Sequence, residues 1–134
     1  MTFYQSKINQ VKKSCFSNQK QIDSIIATKH YIDANFDQNL NLDVLSGELF
    51  TSKYHLLRLY KRYYGQTPRQ YLISKRIERA KMHLTNGMSV TKTCFAVGFE
   101  SLGSFSKLFK AKTGKSPSIF KKEQLSRSNL PAEC

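Results

Sequence analysis

The sequence predicts an all-α fold in which one two-helix unit is written twice, with a long helix between the copies. The first observation behind this is a repeat: Ser52–Tyr71 returns 49 positions later as Ser101–Phe120. At that shift Leu56 falls on Phe105, Arg58 on Lys107, Leu59 on Leu108, Tyr60 on Phe109, Lys61 on Lys110, Gly65 on Gly114 and Pro68 on Pro117. One structural unit used twice accounts for such matches. The second observation is that apolar residues recur at steps of three and four, the period of a helix face. The third is punctuation: Ser52, Ser89 and Ser101 stand where helices start, Gly65 and Gly114 where they stop.

Residues 1–20 place Tyr4, Ile8, Val11 and Cys15 at helical steps in polar surroundings and without a strong cap, so a tail and a short extra helix are equally open. From Gln21, a stripe of Ile22, Ile25, Ile26, Tyr31 and Ile32 predicts a helix to about Phe36, before the break at Asp37-Gln38-Asn39. Asn41 then caps a helix with Leu42, Leu45 and Leu49 inward, where the small Ser46 lets a neighbour approach. A turn through Phe50 and Thr51 leads to Ser52, the cap of a helix with Leu56, Leu59, Tyr60 and Tyr63 inward. Lys53, Tyr54, Leu57, Arg58 and Lys61 of the same helix point outward. Two short helices, a tight turn between them and bases with an aromatic on the second form the helix-turn-helix pattern.

Gly65 stops that helix, Thr67 caps the next and Pro68 takes its first position, after which residues 68–86 run unbroken to Asn86-Gly87. At ~1.5 Å per residue this helix spans ~28 Å, close to the ~34 Å repeat along one face of B-DNA. In the second copy Val90, Cys94 and Val97 point inward, Gly98-Phe99 makes the turn and Ser101 caps the outward-facing helix. Cys94 follows Ser46 by 48 rather than 49, so this turn is one residue longer, and Gly98 supplies the backbone freedom. Ser116-Pro117 opens a last short helix through about Gln124. Phe95, Phe99, Phe105, Phe109 and Phe120 read as core. The resulting organisation is residues 1–20 as tail or extra helix, 21–66 and 88–125 as the two helix-turn-helix subdomains, 67–87 as linker helix and 126–134 as a flexible tail.

Charge points to a partner. Lys and Arg number 22 against 9 acids, a net charge of +13, and the excess is uneven. Residues 21–65 carry five bases and five acids, whereas 66–87 carry five and one, and 88–134 eight and three. A neutral first lobe with a basic spacer and second lobe fits a polyanion, and nucleic acid better than membrane, since no long basic amphipathic helix is evident. No apolar run of membrane length or signal-peptide core is present, which predicts a reducing cytoplasm. Cys15, Cys94 and Cys134 share no metal-ligand spacing, and His30, His55 and His83 are scattered, so free thiols, no metal and no cofactor are expected. Gly114-Lys115-Ser116 imitates the end of a phosphate-binding loop, but Phe109 stands where that loop needs glycine. No catalytic motif appears, and an enzyme is not expected.

At this point Ile22–Gln124 resembles the DNA-binding domain of the AraC/XylS family of bacterial transcription regulators. The residues that carry the resemblance in the first copy are Leu42, Leu45, Ser46, Ser52, Leu56, Arg58, Tyr60, Lys61 and Gly65, followed by Arg76 and Ala80 in the linker. In the second copy they are Gly98-Phe99-Glu100-Ser101, Phe105-Ser106-Lys107, Phe109-Lys110, Gly114-Lys115-Ser116-Pro117 and Phe120-Lys121. The resemblance implies seven helices, binding to double-stranded promoter DNA and regulation of transcription, most readily activation through RNA polymerase, in the bacterial nucleoid. Small members, of the MarA type, consist of little more than this domain and bind as monomers. Thr93 stands where the family has an aliphatic residue, and Cys94 where it has alanine. The Thr93 hydroxyl is expected to bond back to the preceding turn. Leu102 and Gly103 stand where the family often offers polar side chains to bases, and Gly103 lowers helix propensity by ~1 kcal/mol. The second copy is therefore expected to hold more than it reads.

Arg58 is the first candidate for base reading, since an outward guanidinium can bond guanine O6 and N7 together, with a phosphate contact or surface ion pair as the alternative. Tyr54 packs on sugar or base and Leu57 meets a thymine methyl, unless both pack on neighbouring helices. Ser106 and Lys107 are the corresponding pair in the second copy. Lys53, Lys61, Arg69, Lys75, Arg79, Lys110 and Lys115 are phosphate candidates, and Ser101 heads a helix whose N–H groups can meet a phosphate. Arg76 is either a phosphate contact or an inward residue that ties the lobes together through an acid such as Asp43. A sequence-tolerant architectural DNA binder and a detached DNA-binding fragment of a longer, sensor-containing regulator are the competing readings.

Overall fold

The computed structural model describes residues 3–40 and 53–128, with side chains described for 19–40 and 53–127. Six helices and no strand occur among them: α1 (Phe3–Asn35), α2 (Lys53–Tyr64), α3 (Pro68–Thr85), α4 (Val90–Ala96), α5 (Leu102–Thr113) and α6 (Pro117–Ser128). The class is all-α, and the described residues hold six helices against the seven the resemblance implies for the whole domain. The helix expected from Asn41 to Leu49 with Ser46, the turn at Phe50 and Thr51, the Ser52 cap, Asp43 and the tail beyond 128 lie outside the described residues. The faces of Tyr4, Ile8, Val11 and Cys15 lie outside them too.

Two compact units divide the chain, Met1–Ile32 with Asn41–Pro68, and Asp33–Leu40 with Arg69–Cys134. In the first, α1 is a single 33-residue helix where a separate start at Gln21 was expected. Ser17 and Asn18 are weak helix formers but not breakers, Gln19 and Lys20 are good ones, and a Gln19-to-Asp23 side-chain hydrogen bond of 3.1 Å bridges one turn there. The buried stripe of α1 is Ile25, Thr28 and Ile32, while Ile26 and Tyr31 are exposed. Thr28 can be buried because its hydroxyl donates to the Ser24 carbonyl at 2.9 Å. On α2, Leu56 and Tyr60 are buried as expected. Tyr63 is 52% exposed instead of inward. Its neighbour Tyr64, one full turn from Tyr60, takes the inner place with ring centroids 4.7 Å apart. Lys29 lies 5.4 Å above the Tyr64 ring, and the side chains of Gln21 and His55 meet at 3.2 Å.

The second unit has a continuous core of Ile77, Ala80, Leu84, Cys94, Val97, Phe99, Phe105 and Phe109, with Ile73, Val90, Leu108 and Phe120 packed on it. Phe99, Phe105, Phe109 and Phe120 form a chain of tilted and edge-on contacts with centroids 5.2, 5.7 and 5.4 Å apart. Phe95, read as core, is 54% exposed. In a helix of seven residues, Thr93, Cys94 and Val97 already fill the inward face, and Phe95 is turned away from it. Burial raises the Cys94 thiol pKa above its usual value. The Thr93 hydroxyl, expected to bond back along the helix, is fully buried with no hydrogen-bond partner among the described residues.

Candidate nucleic-acid interface

The repeat sets α2 and α5 in one backbone frame. Gly65 and Gly114 both take positive φ, 75° and 83°, and each donates its N–H at 2.8 Å to the carbonyl four residues back, Lys61 and Lys110. This is the left-handed helix stop that glycine adopts without steric cost. Pro68 and Pro117 then open the following helices, and both are fully buried. Ser101 caps α5, its hydroxyl accepting the Ser104 N–H at 3.2 Å, and Ser89 does the same for Lys92 on α4. The α5 N-terminus is therefore fixed in place.

On α2, burial of Leu56 and Tyr60 turns Tyr54, Arg58 and Lys61 outward at steps of four and three. Tyr54 is 77% exposed, Arg58, Lys53 and Lys61 are exposed, and Leu57 is half-buried at the edge of the face. On α5, burial of Phe105 and Phe109 turns Gly103, Lys107 and Lys110 outward in the same way, with Ser106 half-buried at the edge where α2 has Leu57. Lys112 of the same helix and Lys122 of α6 are exposed cations that the sequence reading passed over, although their basic character was the signal. Each helix thus gathers its own candidates on one face. Arg69 is exposed on α3.

Other candidates are occupied. Arg76 donates through Nε to the Phe36 carbonyl at 2.7 Å and through Nη2 to the Gln38 carbonyl at 2.9 Å. Its guanidinium carbon lies 5.5 Å from the Phe99 ring centroid. Gly98, at φ 100°, makes room: a Cβ there would stand 3.0 Å from the Phe36 carbonyl oxygen and 3.1 Å from the guanidinium. Burial lowers the Arg76 pKa, Arg69 adds repulsion, and Asp37 and Glu100 oppose. Among the described residues, Arg76 thus finds its hydrogen-bond partners in carbonyls rather than in an acid. Both carbonyls belong to its own unit.

Lys75 pairs with Asp33 at 3.4 Å, beside a Tyr71 hydroxyl that donates to the same carboxylate. Lys115 pairs with Glu123. Both lysines must leave an acid before meeting a phosphate, although such partly exposed pairs are worth only ~0–1 kcal/mol. Arg79 is exposed with its guanidinium 5.6 Å from the Phe36 ring centroid. No cluster of His, Cys, Asp and Glu able to hold a metal occurs among the described residues. None of their helices is long and apolar enough to cross a membrane.

Comparison with known proteins agrees with this geometry. A family model described as a helix-turn-helix domain matches residues 45–123. The bifunctional transcriptional activator/DNA repair enzyme AdaA of Bacillus subtilis is 32% identical over 108 residues, covering 78% of this chain and 51% of that protein. The regulatory protein SoxS of Escherichia coli is 30% identical over 106 residues, covering 78% of this chain and 96% of SoxS. Thus the chain spans about half the length of AdaA and nearly all of SoxS. Among solved structures, the DNA-binding domain of AdpA, a global transcriptional factor crystallised with a target DNA, superposes with a TM-score of 0.72 at 20% identity. That match covers 80% of this chain and 97% of the AdpA domain, and it establishes the shared fold.

Proposed function

From the premise that the chain belongs to the AraC/XylS-type helix-turn-helix family, we propose that it is a sequence-specific double-stranded DNA-binding regulator of transcription. In this reading α2 and α5 are recognition helices that enter successive major-groove segments. The observation that carries it is the matched outward face: Tyr54, Leu57, Arg58 and Lys61 on α2, and Gly103, Ser106, Lys107 and Lys110 at the same register on α5. Arg58 and Tyr54, with Leu57, read bases, and Ser106 and Lys107 do so to a smaller extent. Lys53, Lys61, Arg69, Arg79, Lys110 and the α5 N-terminus at Ser101 take phosphates, with Lys75 and Lys115 available once their acids release them. Activation through RNA polymerase, by a monomer in the bacterial cytoplasm, completes the proposal, in line with a relative named a transcriptional activator.

Footprinting on a random promoter library tests this. Protection of one defined site of ~20 bp, two groove segments long, is the expected result. Uniform protection of every sequence would replace the regulator with an architectural DNA binder.

A further inference from the structure

Gly103 occupies the first turn of α5, immediately after the Ser101 cap, and open space surrounds the point where its Cβ would stand. Glycine inside a helix loses stability relative to alanine. Nothing within the described protein calls for it: the φ is not positive and no atom lies within 4 Å of the absent Cβ. Helical periodicity places Gly103, Ser106, Lys107 and Lys110 on the face opposite Phe105 and Phe109, with Leu102 at its edge beside Ser106. Leu102 is 39% exposed, an apolar side chain held outward at the same end of the helix. The Ser101 hydroxyl is engaged by the Ser104 N–H. A duplex drawn in by Lys107 and Lys110 would thus meet bare backbone and one branched aliphatic group, with no side-chain donor or acceptor at either position.

Of the four bases, only thymine presents an apolar group to the major groove, its C5-methyl. Resting on the reading of the chain as a sequence-specific DNA binder, we infer that the first turn of α5 selects a thymine by that methyl. Leu102 covers the methyl, and Gly103 is free of a side chain so that the helix backbone can approach the base edge. The second copy then adds, to the polar contacts of Ser106 and Lys107, one base pair read by shape and apolar contact.

A duplex selected by the full chain from a random pool carries the test. Each thymine is replaced in turn by deoxyuridine, which removes the methyl and keeps every hydrogen-bonding group. At one position the unaltered protein should lose about fourfold in affinity, the worth of one buried methyl. Leu102→Ala should bind the thymine and deoxyuridine duplexes equally. Gly103→Ala should melt a few degrees higher than the parent chain and bind its site several-fold more weakly. A defined site indifferent to deoxyuridine at every thymine overturns this inference and leaves the sequence-specific regulator standing. Gly103→Ala binding as tightly as the parent overturns the close approach. Failure to select any defined site overturns the regulator itself, and the methyl contact with it.

Discussion

Registered 49 positions apart, Tyr54 of α2 and Gly103 of α5 stand at the same point of the same frame, the one 77% exposed and the other without a side chain. Both helices end at a left-handed glycine bonded four residues back, and both are followed by a buried proline. The inward positions agree in kind: Leu56 and Tyr60 in one, Phe105 and Phe109 in the other. Only the outward positions diverge, from Tyr54, Leu57 and Arg58 to Gly103, Ser106 and Lys107. Packing constrains a helix's inner face and leaves its outer face free to vary, so a duplicated unit can change what it touches without changing how it folds.

The largest expected effect bears on the frame of the second unit. Arg76→Ala should lower unfolding free energy by about 3 kcal/mol, because two carbonyls lose charge-assisted donors together. Arg76→Lys should recover only part of this, since an ammonium lacks the fork that spans both oxygens. Urea denaturation measures both, and a loss under 1 kcal/mol for the alanine variant would mean that Phe36 and Gln38 are not held as described. Next is the contrast between the outer faces. Arg58→Ala should cost ~1–3 kcal/mol on the selected sequence and far less on random DNA, whereas Lys107→Ala should cost less on the selected sequence and leave a smaller gap between the two. Reversal of that pattern in competitive binding would exchange the roles of the two helices.

Smaller still, Thr93→Val should raise stability by about 1 kcal/mol and the melting temperature by a few degrees, since it removes a buried hydroxyl that has no partner. A destabilised valine variant would point to a partner for that hydroxyl. Lys110→Ala should have the mildest effect, weakening all sequences alike and flattening the salt dependence of binding by about 0.9 of a charge. A titration of affinity against salt reads this directly, and an unchanged slope would remove Lys110 from the phosphate contacts.

Much of this was legible because local chemistry decides it. The caps at Ser89 and Ser101, the stops at Gly65 and Gly114 and the outward turn of Tyr54, Arg58, Lys61, Lys107 and Lys110 follow from spacing alone. What escaped depends on neighbours that periodicity does not name. Phe95 and Tyr63 are apolar in composition yet lose the inner face to residues one or two positions along the chain. Thr28 looks polar, but its hydroxyl is satisfied within its own helix. The partners of Arg76 were missed because carbonyls are present at every residue and leave no mark in a sequence. The occupation of Lys75 and Lys115 by Asp33 and Glu123 depends in the same way on which acid the fold brings near.

The Arg76 bonds reach back 40 and 38 residues to Phe36 and Gln38, a stretch grouped with the second unit although it is translated long before it. On the ribosome those carbonyls emerge first and must wait, hydrated, until α3 has been made. A fragment beginning at residue 67 would carry α3 to α6 and still lack its own acceptors, leaving the guanidinium unpaired beside Phe99. Producing the second copy alone therefore calls for a circularly permuted or two-piece chain that returns residues 33–40 to it.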